Sequence, residues 1–126
     1  MKKIIQTNEA PQAIGPYSQG VIVNGMLYAS GQIAIDPKVG DITAKDIEGQ
    51  TKQVMENIGG LLKAAGIGYE DIVKTTVFLQ DIGDFVIFNE IYASYLTEPY
   101  PARSAVQVGA LPKGALIEVE MIAQMK

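Results

Sequence analysis

The sequence predicts a single α+β domain: a six-stranded, mostly antiparallel sheet with two helices on one face, giving a two-layer sandwich. Three observations predict this fold. Asn24-Gly25 joins two short apolar segments, as in a tight hairpin. Apolar residues recur at helical spacing between Asp46 and Ala65. From Leu116 to Met125, apolar and polar residues alternate, which is typical of a strand with one buried face.

The N-terminal half supplies three strands and the first helix. Ile4-Ile5 is predicted as an edge strand, and the hairpin strands are predicted at residues 21–23 and 26–30. The first helix is predicted to begin near Asp46 and to end before Gly66, because glycine readily adopts the left-handed conformation of a helix C-terminus.

The C-terminal half supplies three strands and the second helix. The segment Ile72–Leu79 is rich in β-branched residues and is predicted as a strand. Asp81 or Asp84 is expected to cap a helix with aromatic residues on one face. Residues 104–108 and 116–125 are the last two strands, so the predicted order is β-β-β-α-β-α-β-β. The aromatic residues of that helix face are Phe85, Phe88, Tyr92 and Tyr95.

Composition excludes several kinds of chemistry. The 126 residues include 10 basic and 14 acidic side chains, giving a net charge of −4, and no His, Cys or Trp. Disulfides, thiol nucleophiles, thiolate metal sites and Ser-His-Asp machinery are therefore excluded. The acidic balance, without a Lys/Arg cluster, argues against a nucleic-acid partner. With no long apolar segment, we expect a cytoplasmic protein with no membrane partner.

Strand alternation predicts which side chains face the helices. In the last strand, the odd-numbered residues are apolar and should lie under the helices, whereas Glu118 and Glu120 should point away from them. In the preceding strand, Val106 and Val108 are predicted to face the helices. The side chains predicted to point away from the helices in that strand are Arg103, Ala105 and Gln107.

The face of the sheet without helices is predicted to be semi-apolar, which is common at oligomer interfaces. A solvent-exposed face with scattered apolar residues is the alternative, because such faces are ordinary on antiparallel sheets. The apolar residues predicted on this open face are Met26, Tyr28, Ile72, Phe78 and Ile122.

Charged residues near the C-terminus could carry chemistry. Arg103 follows a Pro-containing turn at the start of a strand, and its planar fork could hold a carboxylate through two hydrogen bonds. Glu118 and Glu120 could serve as an acid/base pair if burial raises a pKa. Considered one at a time, these residues leave an alternative open. Arg103 could be an ordinary surface arginine, and Glu118 and Glu120 could be two solvated glutamates.

Three further positions could line a small-molecule site. Tyr17 lies in a tight Gly-Pro turn, where it could cover a ligand or simply pack. At Ser30-Gly31 a strand is predicted to end, and the glycine could leave backbone N–H groups accessible to an anion or simply serve the strand-terminating turn. Asn89 lies beside the aromatic stripe of the second helix and could cap, be solvated or reach a site.

Taken together, these segments closely resemble the RidA (YjgF/YER057c/UK114) family. The resemblance covers essentially the whole chain, and its most specific part is residues 103–120. The segments that carry it are Gly15-Pro16-Tyr17, Ala29-Ser30-Gly31-Gln32, residues 74–79, Asp84-Phe85 with Asn89 and Tyr92, Pro101-Ala102-Arg103-Ser104, Leu111-Pro112-Lys113-Gly114 and Ile117-Glu118-Val119-Glu120.

The resemblance implies a chorismate mutase-like fold and a homotrimer with sites between adjacent subunits. It also implies hydrolytic deamination of reactive enamine and imine intermediates, such as 2-aminoacrylate, 2-iminopropanoate and 2-iminobutanoate, to 2-keto acids and ammonia. Pyridoxal-phosphate enzymes such as serine and threonine dehydratases release these intermediates. No cofactor and no metal is implied.

The resemblance also assigns roles to residues. It implies that Arg103 binds the substrate carboxylate and that Glu118 activates the attacking water. The backbone groups of Gly31 and Ala105 would contact substrate or water, although many relatives have Cys where this chain has Ala105. The residues expected to line the cleft are Tyr17, Ser30 and Asn89.

Two other functions are weighed against deamination. A non-catalytic trimer could use the same cleft to bind a 2-keto acid or similar metabolite and report it to a partner. Ribonuclease activity, a historical label of the family, is disfavoured by the acidic balance and the absence of His.

Overall fold

The computed structural model describes residues 1–126 as one six-stranded sheet, a two-stranded ribbon and two helices. Short 3-10 turns occupy Tyr69–Asp71, Ile82–Asp84 and Pro112–Gly114. The main elements are β1 (Lys3–Ile5), β2 (Gly20–Val23), β3 (Met26–Gln32), β4 (Ile35–Asp36), β5 (Asp41–Ile42), α1 (Ile47–Ala64), β6 (Ile72–Leu79), α2 (Phe85–Ser94), β7 (Ala102–Gln107) and β8 (Ile117–Gln124).

The sheet has the strand order β1-β2-β3-β8-β6-β7, and β4 pairs with β5 in the separate ribbon. All neighbouring strands of the sheet are antiparallel except β6 and β7, which run parallel because α2 connects them. The predicted two-layer α+β architecture is therefore confirmed. No helix is both long and apolar enough to cross a membrane.

The turn and capping residues of the N-terminal half adopt the conformations that the sequence predicts. Asn24 and Gly25 have φ angles of 51° and 75°, as a type I′ hairpin turn requires. The Asp46 carboxylate accepts a 2.8 Å hydrogen bond from the Gly49 N–H and caps α1. Gly66 follows the helix with a φ of 78°.

The core lies between the two helices and the side of the sheet that they cover, which we call the helix side. A continuous cluster of 21 buried apolar residues fills this space. The odd-numbered residues of β8 from Ile117 to Ala123 are all buried in it, as predicted. From the helices, the fully buried apolar side chains are Val54, Met55, Ile58, Leu61, Leu62 and Phe88.

The predicted face assignment of β7 is wrong. Arg103 pairs with Thr75, which is 1% exposed, and Ala105 pairs with the buried Val77, so both side chains point to the helix side together with Gln107. Val106 pairs with Phe78 on the opposite, open side and is 44% exposed. Because a strand has a period of two, an error of one residue inverts every side chain of it.

The start of β6 and the segment after β3 also differ from the prediction. A register shift between Ile72 and Lys74 buries Ile72 on the helix side and exposes Val73, so Ile72 does not belong to the open side. The segment 35–42, for which no strand is predicted from the sequence, forms the β4–β5 ribbon.

The two helix starts provide a matched pair of aspartates. Asp46 caps α1 through a side-chain hydrogen bond, whereas Asp84 precedes α2 without one. We expect Asp46→Ala to lower the free energy of unfolding by about 1 kcal/mol. Asp84→Ala should cost clearly less, because only the charge–dipole attraction common to both sites is lost.

The measurement is urea denaturation of both variants at one fixed protein concentration. Equal losses for Asp46→Ala and Asp84→Ala would contradict the capping role read from the structure.

Candidate functional site

A pocket that we call the Glu118 pocket has a volume of about 650 Å³. It opens where β3 ends beside the start of β8. The loop 11–19 and the β4–β5 ribbon form two of its walls, and the turn at Pro112-Lys113 forms a third. Four of the seven predicted site residues line it: Tyr17, Ser30, Gly31 and Glu118.

Glu118 lies directly against Gly31. A Cβ atom built on Gly31 would collide with the Glu118 carboxylate, so only glycine lets this side chain lie across the end of β3. The β3–β8 register is also irregular between Ala29 and Gln32, which marks a bulge at the site. The glycine predicted from the sequence as a backbone contact point thus also makes room for the carboxylate.

Burial raises the pKa of the Glu118 carboxyl, and the nearby negative charge of Glu120 raises it further. Both effects disfavour the ionised form, because a half-buried carboxylate loses hydration and repels a second carboxylate. Glu118 therefore holds its proton to a higher pH than an ordinary glutamate. A carboxyl group tuned in this direction is suited to both accepting and returning a proton.

Gln19 holds the loop that carries Tyr17. Its Oε1 accepts a 2.7 Å hydrogen bond from the Thr7 N–H, and its Nε2 donates to the carbonyl oxygens of Thr7, Ala10 and Pro11. Only 3% of Gln19 is exposed, so these bonds are shielded from water. The Ser30 hydroxyl donates a 2.6 Å hydrogen bond to the Ser18 carbonyl and ties the same loop to β3.

Two side chains hold the opposite wall. The buried Asn57 of α1 donates to the carbonyl oxygens of Ile33 and Ile35 at 3.3 and 2.9 Å, and so fixes the chain that leads into the ribbon. The Lys113 ammonium lies 3.3 Å from the Asp41 carboxylate and joins the 112–114 turn to the ribbon.

A smaller pocket, which we call the Arg103 pocket, has a volume of about 410 Å³ and lies on the helix side. It contains Arg103 and Asn89, with Tyr92, Tyr100 and Pro101 among its walls. The Arg103 Nη1 donates a 2.6 Å hydrogen bond to the Asn89 Oδ1.

Arg103 makes no ion pair within the chain, and Asn89 is its sole hydrogen-bond partner. A guanidinium group has five N–H donors, so most of the Arg103 donors remain available to a ligand. The group is exposed at the pocket, which leaves its charge accessible. This is an arrangement that can receive a carboxylate through two parallel hydrogen bonds.

The structure separates the predicted site residues into these two groups. Arg103 shares the helix side with Thr75, whereas Glu118 pairs with Phe78 on the open side. The sheet itself therefore lies between the guanidinium and the carboxylate of one chain. Ala105, the remaining predicted residue, points to the helix side of the edge strand β7 and packs against the core.

Sequence reasoning missed several residues of the site. Gln19 carries no local signal, and Lys113 stands out only within a segment that carries the family resemblance. The roles of both arise from contacts between segments distant in sequence. The aromatic stripe of α2 was predicted, but its contact with Arg103 was missed because β7 was assigned the wrong face. Composition does not indicate that Gln19, which lies between Gly15 and Gly20, is buried.

Comparison with known proteins gives consistent results over the whole chain. A family model described as Endoribonuclease L-PSP matches residues 7–125. A human protein named 2-iminobutanoate/2-iminopropanoate deaminase is 49% identical over 123 residues, which cover 98% of this chain and 90% of that protein. A Lactococcus lactis relative, 55% identical over 124 residues and 98% of both chains, is named only as a candidate regulator, AldR.

The fold is matched by solved structures. The crystal structure of YyfA from Yersinia pestis, a Rid family protein described as being of unknown function, is 52% identical to this chain and has a TM-score of 0.97. The match covers 99% of this chain and 100% of that one.

The repulsion between the carboxylates of Glu118 and Glu120 can be tested by titration. Glu120→Gln removes the charge that adds to the raised pKa of Glu118, so we expect the pKa of Glu118 to fall. It should stay above the ordinary glutamate range, because burial is unchanged. The measurement is a pH titration of the Glu118 carboxyl carbon by NMR.

Glu48→Gln serves as the control, since Glu48 is exposed in the first turn of α1 and pairs with Lys52. A Glu118 pKa that is unchanged or higher in Glu120→Gln would contradict the electrostatics described here.

Proposed function

This chain belongs to the Endoribonuclease L-PSP family, which is the RidA family, and on that basis we propose that it hydrolyses 2-imino acids to 2-keto acids and ammonia. The substrates we propose are 2-iminopropanoate and 2-iminobutanoate, together with their enamine tautomers such as 2-aminoacrylate. The observation that carries the proposal is the combination of an unpaired Arg103 fork and a Glu118 carboxyl of raised pKa.

The reaction needs little from the protein because the substrate is already electrophilic. Water adds to the C=N carbon, forming a C–O bond and giving a carbinolamine. The C–N bond then breaks, the nitrogen leaves as ammonia, and the oxygen becomes the keto group after losing its proton. The sum is one imino acid and one water giving one keto acid and one ammonia, with no electrons gained or lost.

Arg103 is the proposed anchor of the substrate carboxylate. Two parallel N–H···O bonds would fix both the position and the plane of the carboxylate, and hence of the conjugated C=N group beside it. Asn89 occupies one donor of Arg103 and so limits rotation of the guanidinium in its plane.

Glu118 is the proposed acid/base group. Its ionised form would accept a proton from the attacking water, and its protonated form would then return that proton to the departing nitrogen. Because the pKa of Glu118 is raised, activity should decline on the acid side at a higher pH than an ordinary glutamate would give. Tyr17 and Ser30 line the same pocket, and the Gly31 backbone lies beside the carboxylate.

The two groups can act together only if they come from different copies of the chain, because the sheet separates them within one copy. We therefore propose a homotrimer in which the Arg103 pocket of one protomer meets the Glu118 pocket of the next. The semi-apolar open side supports this assembly: Tyr28 and Val106 are 46% and 44% exposed there. The backbone of Ala105 on the edge strand β7 would then be available at the boundary.

The regulatory alternative is not favoured, although the Lactococcus lactis relative bears a regulator's name, because relatives about as similar are named as deaminases. RNA cleavage, which the name of the family model describes, has no support in the acidic composition or in the residues of the two pockets.

The test is to generate 2-iminobutanoate in solution with threonine dehydratase or an amino-acid oxidase and to follow 2-oxobutanoate formation. We expect the protein to accelerate keto-acid release above the spontaneous rate. Arg103→Ala should lower kcat/KM by about tenfold or more, because a charge-assisted anchor is lost. The kcat/KM of Arg103→Lys should lie between those of the wild type and Arg103→Ala, since lysine keeps the charge and loses the fork.

Lys63→Ala is the control, because Lys63 pairs with Glu9 on the surface outside both pockets. No acceleration by the wild-type protein would refute the deaminase proposal. A folded Arg103→Ala variant with full activity would refute the anchor.

A further inference from the structure

Arg103 lies on a floor of three aromatic rings from α2. Its Cζ is 5.1 Å from the ring centroid of Tyr92, 5.3 Å from that of Phe85 and 5.8 Å from that of Phe88. A guanidinium over an aromatic face at such distances is attracted by the negative face of the ring. The rings therefore attract the guanidinium and hold it close to α2.

The aromatic floor is itself rigid. A hydrogen bond of 2.7 Å joins the hydroxyl oxygens of Tyr92 and Thr75, and Thr75 is buried in the central strand β6. The rings of Phe88 and Tyr92 pack with centroids 5.2 Å apart, and Phe88 is fully buried. Burial raises the pKa of the Tyr92 phenol, so the hydroxyl stays protonated and the hydrogen bond to Thr75 persists at neutral pH.

The floor and Asn89 constrain Arg103 in different ways. The rings restrict where the guanidinium lies, whereas the 2.6 Å hydrogen bond to Asn89 fixes the direction of one of its N–H groups. All four of these side chains come from one helix, α2, and Arg103 comes from the strand that follows it. A fork held in both respects loses little freedom when it binds a planar carboxylate.

We propose that Phe85 and Tyr92 are positioning residues for Arg103, and that their ring faces set the affinity of the site for 2-keto and 2-imino acid carboxylates. This proposal deepens the proposed function, since it rests on Arg103 being the carboxylate anchor. Tyr92 is fixed by its hydrogen bond with Thr75, and Phe85 is the half-buried ring of the floor.

Phe85 gives the sharper test, because it is only half-buried and its loss should leave the core intact. Phe85→Leu removes the ring, Phe85→Tyr keeps it, and Val86→Ala changes an exposed residue of the same turn. The probe is 2-oxobutanoate, titrated by calorimetry into the assembled protein.

We expect Phe85→Leu to raise the Kd of 2-oxobutanoate about threefold or more, which is the size of one cation–π contact at a partly exposed site. Phe85→Tyr and Val86→Ala should bind as the wild type does. In the deaminase assay, KM should rise for Phe85→Leu while kcat changes less, because the lost interaction is made with the bound substrate and transition state alike.

A second measurement separates positioning from general damage. In the Arg103→Lys background, Phe85→Leu should weaken binding less than it does in the wild type, because a compact, strongly hydrated ammonium packs less on an aromatic ring than a guanidinium does. Equal fold-losses in the two backgrounds, unchanged binding in Phe85→Leu, or no binding of 2-oxobutanoate to the wild type would overturn the proposal.

The two proposals fail separately. Wild-type protein that binds 2-oxobutanoate with this ring dependence but does not hydrolyse imines would refute the deaminase and support the positioning role. Wild-type protein that hydrolyses imines while Phe85→Leu retains full affinity and KM would refute the positioning role alone.

Discussion

The alternation of side chains across the β-sheet is the constraint on which the functional account depends. Arg103 and Glu118 lie on strands separated only by β6, yet their register places one on the helix side and the other on the open side. If Arg103 anchors the substrate carboxylate and Glu118 is the acid/base group, as we propose, the two cannot reach one small substrate within a single chain. The proposed chemistry would therefore require a second copy, and we propose that the open side contributes to the contact.

Each of the two pockets is organised by the part of the fold to which it belongs. On the helix side, α2 provides both the aromatic floor and Asn89, so the guanidinium is oriented by packing with the core. At the other pocket, loops provide the walls, and Gln19 and Asn57 satisfy the buried carbonyl groups that such loops leave unpaired. The charges are also divided, with an unpaired cation in one pocket and two carboxyl groups in the other.

Much of the fold could be predicted from the sequence because its signals are local. The Asn24-Gly25 turn, the Asp46 cap and the alternation of β8 each act over a few residues and appear as predicted. The face of β7 could not be predicted in this way. It is an exposed edge strand whose apolar and polar residues alternate weakly, and its register is fixed by pairing with β6 and by the packing of Arg103 on α2. Of the predicted site residues, the structure brings together those around Glu118 and separates them from Arg103.

The most direct test of the account is subunit complementation. Arg103→Ala and Glu118→Gln proteins, each expected to be nearly inactive, are unfolded, mixed in equal amounts and refolded, and imine hydrolysis is measured against each variant refolded alone. Sites built from two neighbouring chains predict recovery to about a quarter of wild-type activity, since one site in four would combine both intact residues. A mixture no more active than its parents would contradict the account, because it would mean that Arg103 and Glu118 act within one chain.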